Sequence, residues 1–530
     1  MGRCDRSNGM VCRNMNVKKD KIGRKKSAVI NSMIGLVTSI ISMTIAFVTR
    51  SIFIKYLGVE LLGISSTFTS VLGTISLAEL GFQTAIIYYL YKPLSDENYT
   101  DVNELICILK VVYNIIGVLF IIVGICLIPS LPVILKGINV DGHIIVYYLI
   151  HILNASCTYF LGYRRTLLYA DKREYTIKTV DSIISIVFCI MKIIAVIMTA
   201  NYLIYIVLTT IQTITSNIVL HILCKRYYRY LVDVKFNVVK FESIWKDIKV
   251  LFVGKIAGYI YGSTDNIIIS SVIGAVSVGY IVNYTTVINA ISTLVFSVFS
   301  PIAPMIGNLI VEEHDKNRNE KIFRTYTYVR YSITLCSVIP FIVLAQSFIE
   351  IWVGSQYMLS MVIVWLFGID RYINFVHSSL CDFINADGLF AQDKNIEIIG
   401  ALTNIVISII LAHFIGIIGV LIGTIVSQGV FWIGRSAVVY QNCFKGTDGN
   451  YKMYWQQQAL YFIIFIFLTV ICEKIYDILP CYNYALRFVT GGIICEIFAI
   501  SFNLLLFHKT YEYKFIKSTI LEIIFKIKNV

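Results

Sequence analysis

The chain has 530 residues, 57% of them hydrophobic and only 15% charged, with a formal net charge of +13. That balance excludes a water-soluble domain of ordinary size, although the length alone would suggest roughly three or four of them. The basic residues lie in loops beside apolar stretches and not on one soluble face, which argues against nucleic acid as a partner.

Roughly fourteen apolar stretches of about twenty residues run from Ile30 to Phe507, each long enough to cross a bilayer as a helix. The fold expected is an all-α polytopic membrane protein. A basic tail (1–26) is followed by a first six-helix bundle (27–224), a linker (225–248), a second six-helix bundle (249–442), helices thirteen and fourteen (443–508), and a second basic tail (509–530). No cleavage site follows the first apolar run, which is too long for a signal-peptide core. Met15 would serve as a start as well as Met1.

Lys18 to Lys26, Arg164 to Arg173, Lys225 to Lys246, Lys316 to Arg324 and Lys509 to Lys528 are basic clusters in alternate loops. The opposite loops hold little beyond Lys136 and Lys474, so the basic side is cytoplasmic, and both termini with it. The 13 cysteines are scattered without a C-x-x-C pair and read as reduced core residues.

The loop after span one holds Gly58 and Gly63, and the loop after span seven holds Gly274 and Gly279, both pairs 216 residues apart. The same offset places Glu104 on Glu320, Ala170 on Ala386 and Asp171 on Asp387. Each repeat contains an even number of spans, so the two halves enter the membrane in the same orientation. They are then related by an axis along the membrane normal, and a transporter built this way places its path between them.

On span one, Ser32, Gly35, Ser39, Ser42, Ala46 and Arg50 recur every three or four residues and share one helical arc. The offset carries this arc onto Lys255, Gly258, Gly262 and Asn266 of span seven, flanked by Tyr259 and Asp265. Small residues alone would serve helix packing. Charges inside spans cost on the order of 3 kcal/mol each and need water, a partner or a ligand. Arg50, Lys255, Asp265, Glu79, Lys192, Asp370, Arg371 and Glu496 are such charges. Structural explanations exist for several: Glu79 pairing with Arg50, Lys192 reaching the outer surface, and Glu496 facing the extra helix pair.

The segments Gly58 to Gly63, Leu77-Ala78-Glu79-Leu80-Gly81-Phe82, Tyr88-Tyr89-Leu90-Tyr91-Lys92-Pro93 and Asp265-Asn266-Ile267-Ile268-Ile269-Ser270 resemble those of bacterial polysaccharide-exporting flippases. These belong to the multidrug/oligosaccharidyl-lipid/polysaccharide superfamily, whose multidrug and toxin extrusion branch (MATE) gives the fold its name. The resemblance covers spans one to fourteen. It implies translocation of a polyprenyl-pyrophosphate-linked oligosaccharide to the outer leaflet of the bacterial cytoplasmic membrane, for O-antigen, capsule or a similar polymer. Polymerase and chain-length machinery would be the partners, with no cofactor, no metal and no enzymatic step.

For that cargo Arg50, Lys255 and Arg371 are assigned to headgroup attraction, since Arg and Lys suit phosphate oxygens. Asp265 and Asn266 would hold a cation or bond sugar hydroxyls, and Tyr259 and Tyr261 would stack on sugar rings. Asp265 and Glu79 are the candidates for ion coupling. A lateral opening for the lipid tail is expected near spans one and eight, where Pro301 and Pro304 permit a bend. The nearest alternative is an ion-coupled drug or cation antiporter of the same fold. A glycan polymerase or ligase would need larger external loops, and the seven histidines are dispersed without metal spacing.

Overall fold

The sequence breaks its helices at caps and glycines, and these fix where each span begins. Asn98, Asp141, Asn201, Asp315 and Asn483 each accept a hydrogen bond from a backbone N–H of the first helical turn that follows. A computed structural model describes residues 24–242, 244–245, 264–300, 302, 315–446, 451–480, 483–515 and 517–518. Its main helices are α1 (Arg24–Ile75), α2 (Leu77–Ser95), α3 (Tyr99–Cys126), α4 (Gly142–Gly162), the short α5 (Arg165–Ala170), α6 (Glu174–Thr199) and α7 (Tyr202–Tyr227). After the linker come α8 (Ala275–Phe299), α9 (Lys316–Trp352), α10 (Met361–Asp387), α11 (Phe390–Ile415), α12 (Ile417–Asn442), α13 (Tyr451–Ile478) and α14 (Tyr484–Phe507).

Gly58 divides α1 into two arms, because its φ of 86° lies in the left-handed region that only glycine enters cheaply. Both arms return to one place. Phe53 of the first arm packs edge-on to Tyr202, and Phe68 of the second packs on His151, which is hydrogen-bonded to the same Tyr202 at 3.0 Å.

Eleven helices among the described residues are long and apolar enough to cross a membrane, against the roughly fourteen spans expected. The two arms of α1 count once, and most of expected span seven lies outside the described residues. Helix α10 carries Asp370, Arg371, Asn374 and His377 along its middle, which lowers its apolar character. Polytopic helical architecture follows all the same.

The repeat is visible in the coordinates. Adding 216 to the bounds of α6 gives 390–415, the bounds of α11, and adding it to those of α7 gives 418–443, one residue from α12. The halves also meet reciprocally. A Cβ on Gly63 would overlap the Ala275 carbonyl, and a Cβ on Gly279 would overlap the Val59 carbonyl. Val59 and Ala275 are themselves 216 apart, so the two contacts exchange under a pseudo-twofold axis.

Beyond the repeat, α13 and α14 pack on the second half. Tyr461 stacks on Tyr331 at 4.0 Å, and Asn503 bonds Tyr328 and Ser332 of α9. Glu496 lies beside Cys336 of α9, so it faces the second half and not the extra pair as expected. The linker is tied to the first half: Lys240 pairs with Asp101 at 2.6 Å and Glu104 at 2.9 Å, and Asn103 donates to the Tyr230 carbonyl at 3.0 Å.

Candidate functional site

The polar arc of span one lines a chamber. Ser39, Ser42, Ala46 and Arg50 of α1 face Lys178, Asp181 and Ser185 of α6 and Asn289 and Thr293 of α8, around a cavity of about 560 Å³. From Thr38 to Arg50 the chamber follows α1 for about 18 Å, at 1.5 Å rise per residue. Because α1 and α6 belong to the first half and α8 to the second, the space lies between the halves.

One end is closed. Beyond Arg50 the chain of α9 crosses α1, with the Trp352 indole donating to the Phe47 carbonyl at 3.1 Å and Ser51 donating to the Trp352 carbonyl at 3.3 Å. Phe47 packs edge-on against Trp352 at 4.8 Å, and past this layer the Gly63 and Gly279 contacts join the halves directly.

The charges around the chamber are unequally paired. Lys178 pairs with Glu174 at 2.9 Å one turn back. Asp181 receives two 3.1 Å hydrogen bonds from Arg165 and one from Ser216. Arg50 takes part in no ion pair among the described residues, and its Nη1 has no hydrogen-bond partner there. A buried guanidinium with unused donors is costly unless water or an anion completes it. The balance of Arg50, Lys178 and Arg165 against Glu174 and Asp181 leaves one positive charge, located on Arg50.

Several sequence assignments land elsewhere. Arg371 bonds its neighbour Asp370, with Nε at 2.8 Å from the carboxylate, and it is not among the chamber residues. Asn266 donates to Ser70 at 3.0 Å, a bridge between the halves outside the chamber lining. The Lys192 ammonium does not reach the outer surface: it donates to Gln212 at 2.9 Å and lies 5.4 Å over the Tyr205 ring. Spans one and eight, where the lipid opening was expected, line the chamber on either side and meet at the Val59–Gly279 and Gly63–Ala275 contacts past the Gly58 turn. Lys255, Tyr259, Tyr261, Pro301, Pro304 and the Glu79 side chain lie outside the described residues, and so does any Glu79–Arg50 pair.

Asp265 occupies a separate polar cluster inside the second half. Its Oδ2 accepts from Thr424 at 3.0 Å, Thr424 also receives a hydrogen bond from Asn404 at 3.2 Å, and Ser408 donates to the Val420 carbonyl one turn away. Its Oδ1 has no partner and no ion pair involves it among the described residues. A carboxylate so placed needs a proton or a small cation.

The sequence reading missed Lys178, Asp181 and Ser185. The signal was present as a polar run at i, i+3 and i+7 on an otherwise apolar span, but Lys178 and Asp181 sit near the span's start, where charges pass as ordinary helix ends. The offset also connects Asp181 with Glu397, which pairs with Arg435 at 3.1 Å. Each half thus keeps an acid bonded to arginine at this level, but the arginine comes from α5 in one and α12 in the other.

Residues 28–310 match the family described as Polysaccharide biosynthesis protein, more than half of the chain. The chain belongs to that family. No curated protein matches it in sequence. Among solved structures, the lipid II flippase MurJ in an inward closed conformation superposes with a TM-score of 0.66 at 14% identity, over 90% of this chain and 99% of that one. A multidrug resistance MATE family transporter of the MOP superfamily in its inward-facing conformation superposes at 0.57 with 13% identity, over 78% of this chain and 100% of that one. A point mutant of the Vibrio cholerae MATE transporter VcmN superposes at 0.54 with 14% identity, over 79% of this chain and 98% of that one. This member of the polysaccharide biosynthesis family is therefore a multi-pass membrane protein with the two-bundle fold shared by MurJ and the MATE transporters.

Proposed function

We propose that the chain is a flippase carrying a polyprenyl-pyrophosphate-linked oligosaccharide from the cytoplasmic to the outer leaflet of the bacterial cytoplasmic membrane, for assembly of a surface polysaccharide such as O-antigen or capsule. The observation that carries this reading is the chamber between the halves, with Arg50 at its closed end in no ion pair among the described residues. A pyrophosphate bears multiple negative charges, and moving it through hydrocarbon without a polar path is prohibitive. A fixed guanidinium in a hydrated chamber lowers that barrier and offers two parallel donors to phosphate oxygens. No bond in the cargo is made or broken, so transport, not catalysis, is the activity. Membership of a polysaccharide biosynthesis family and the fold held in common with a lipid II flippase support the same conclusion.

In this reading Lys178 guides the headgroup into the chamber, and Lys255, Tyr259 and Tyr261 retain their assigned roles as headgroup and sugar contacts. The charge pattern of the loops supports cytoplasmic termini and an outward closed end of the chamber. Asp265 takes a proton or monovalent cation whose uptake biases the second half between its two orientations.

The test is reconstitution in liposomes with a fluorescent polyprenyl-pyrophosphate-linked oligosaccharide, scored by its appearance in the opposite leaflet. Arg50→Ala is expected to reduce the rate by about tenfold or more, the scale of one lost charge-assisted hydrogen-bond pair. Equal rates for Arg50→Ala and the parent protein would remove the assignment. The antiporter alternative draws on Asp265, and it predicts extrusion of cationic drugs from the same liposomes.

A further inference from the structure

A second cavity opens off the chamber wall. It encloses about 240 Å³ within the first half, lined by Thr158 of α4, Arg165 of α5, and Gln212, Thr213, Ser216 and Asn217 of α7. Asp181 and Ser185 of α6 line both spaces, so the two adjoin.

Its chemistry differs from that of the chamber. The one full charge pair, Arg165 with Asp181, is internally neutralised, and the rest of the polar lining is amide and hydroxyl. The Gln212 amide is held at both ends, accepting from Lys192 at 2.9 Å and donating to Ser185 at 3.1 Å. Asn217 is only 1% exposed, yet among the described residues neither its amide oxygen nor its amide nitrogen has a partner, and the Arg165 Nε has none either. Buried amides are normally satisfied, and two unused atoms on one side chain mark a place where a ligand's donor and acceptor would complete the set.

A volume of about 240 Å³ has room for one pyranose ring. Neutral groups that both donate and accept are what a sugar's hydroxyls require, whereas a phosphate would seek unpaired cations.

We propose that this side pocket receives a single sugar ring of the lipid-linked cargo, while the headgroup lies in the chamber beside Arg50. The assignment rests on the flippase reading and adds to it a glycan-recognition site, placed on the first half alone. It separates two tasks by position: charge is recognised between the halves, and the sugar is recognised within one of them. The side pocket then travels with the first half as the halves rock, keeping hold of the sugar.

The experiment compares binding of two probes to the full-length protein in nanodiscs: a bare polyprenyl pyrophosphate, and the same lipid carrying one hexose. The parent protein is expected to bind the sugar-bearing probe about tenfold more tightly, as a few satisfied hydrogen bonds allow. Thr213→Leu, which fills the pocket with methyl groups, should bring the two affinities together, and Asn217→Asp, which keeps the side-chain shape but removes the amide donors, should narrow the gap. Bare-lipid binding by each variant reports that it is folded. Equal affinities in the parent protein, or a preference that survives Thr213→Leu, would overturn the side pocket while leaving the flippase reading intact. Failure of the parent protein to bind either probe would overturn both.

Discussion

A charge inside a membrane-spanning helix is informative according to who neutralises it. Arg371 has Asp370 beside it, Lys192 has Gln212 and a tyrosine ring, and Arg165 has Asp181. Arg50 and Asp265 each keep an atom, Nη1 and Oδ1, with no partner among the described residues, and they lie in different places: one in the chamber, one inside the second half. If Asp265 binds a coupling proton or cation, Asp265→Asn, which preserves size but not charge, should abolish acceleration of transport by a cation or pH gradient. Probe binding in nanodiscs should stay within about twofold of the parent, since Asp265 does not line the chamber that holds the headgroup. Unchanged gradient dependence in the variant would exclude Asp265 from coupling. At this scale the sequence was only partly legible. Periodicity on span one located Arg50, but whether Arg371 was free depended on a neighbour one residue away whose rotamer no pattern reveals.

At the scale of elements, the glycines of the two turns are what allow the halves to touch. Gly58 and Gly274 take positive φ to turn the chain, and Gly63 and Gly279 let backbone approach backbone across the pseudo-twofold. Larger residues at the second pair must push carbonyls apart, an overpacking cost of about 1–3 kcal/mol for each. Gly63→Val and Gly279→Val are therefore each expected to shift the protein toward states open at the turn end. The shift would be read as increased labelling, by a membrane-impermeant thiol reagent supplied from the turn side, of a cysteine placed at Ser42 in a cysteine-free background. Because the contacts are reciprocal, the two variants should have similar effects. A large disparity would show that the axis is not functionally symmetric. These four glycines were legible as a spaced pair repeated at an offset of 216, but their mutual contact was not, since a repeat specifies equivalence and not proximity.

Across the whole molecule, the chamber is sealed on the side of the Gly58 turn by Phe47, Trp352 and the glycine contacts. Cysteines substituted at Ser42 and Asn289, both exposed within the chamber, should react with an impermeant reagent supplied from the side of the basic loops. Reagent supplied from the turn side should react several-fold more slowly. Equal reactivity from both sides would contradict the closed end. By itself the sequence determined the membrane setting, the repeat and the polar arc of the first span, because bilayer thickness, helical period and a constant offset are local or arithmetic properties of the chain. Only the tertiary structure decided which charges are cancelled, that Lys178 and Asp181 join Arg50 around one space, and that a second polar cavity adjoins it. These depend on which side chains from distant segments face one another, and in a membrane protein every span presents a similar apolar pattern to its neighbours, so pairing between spans is settled by packing.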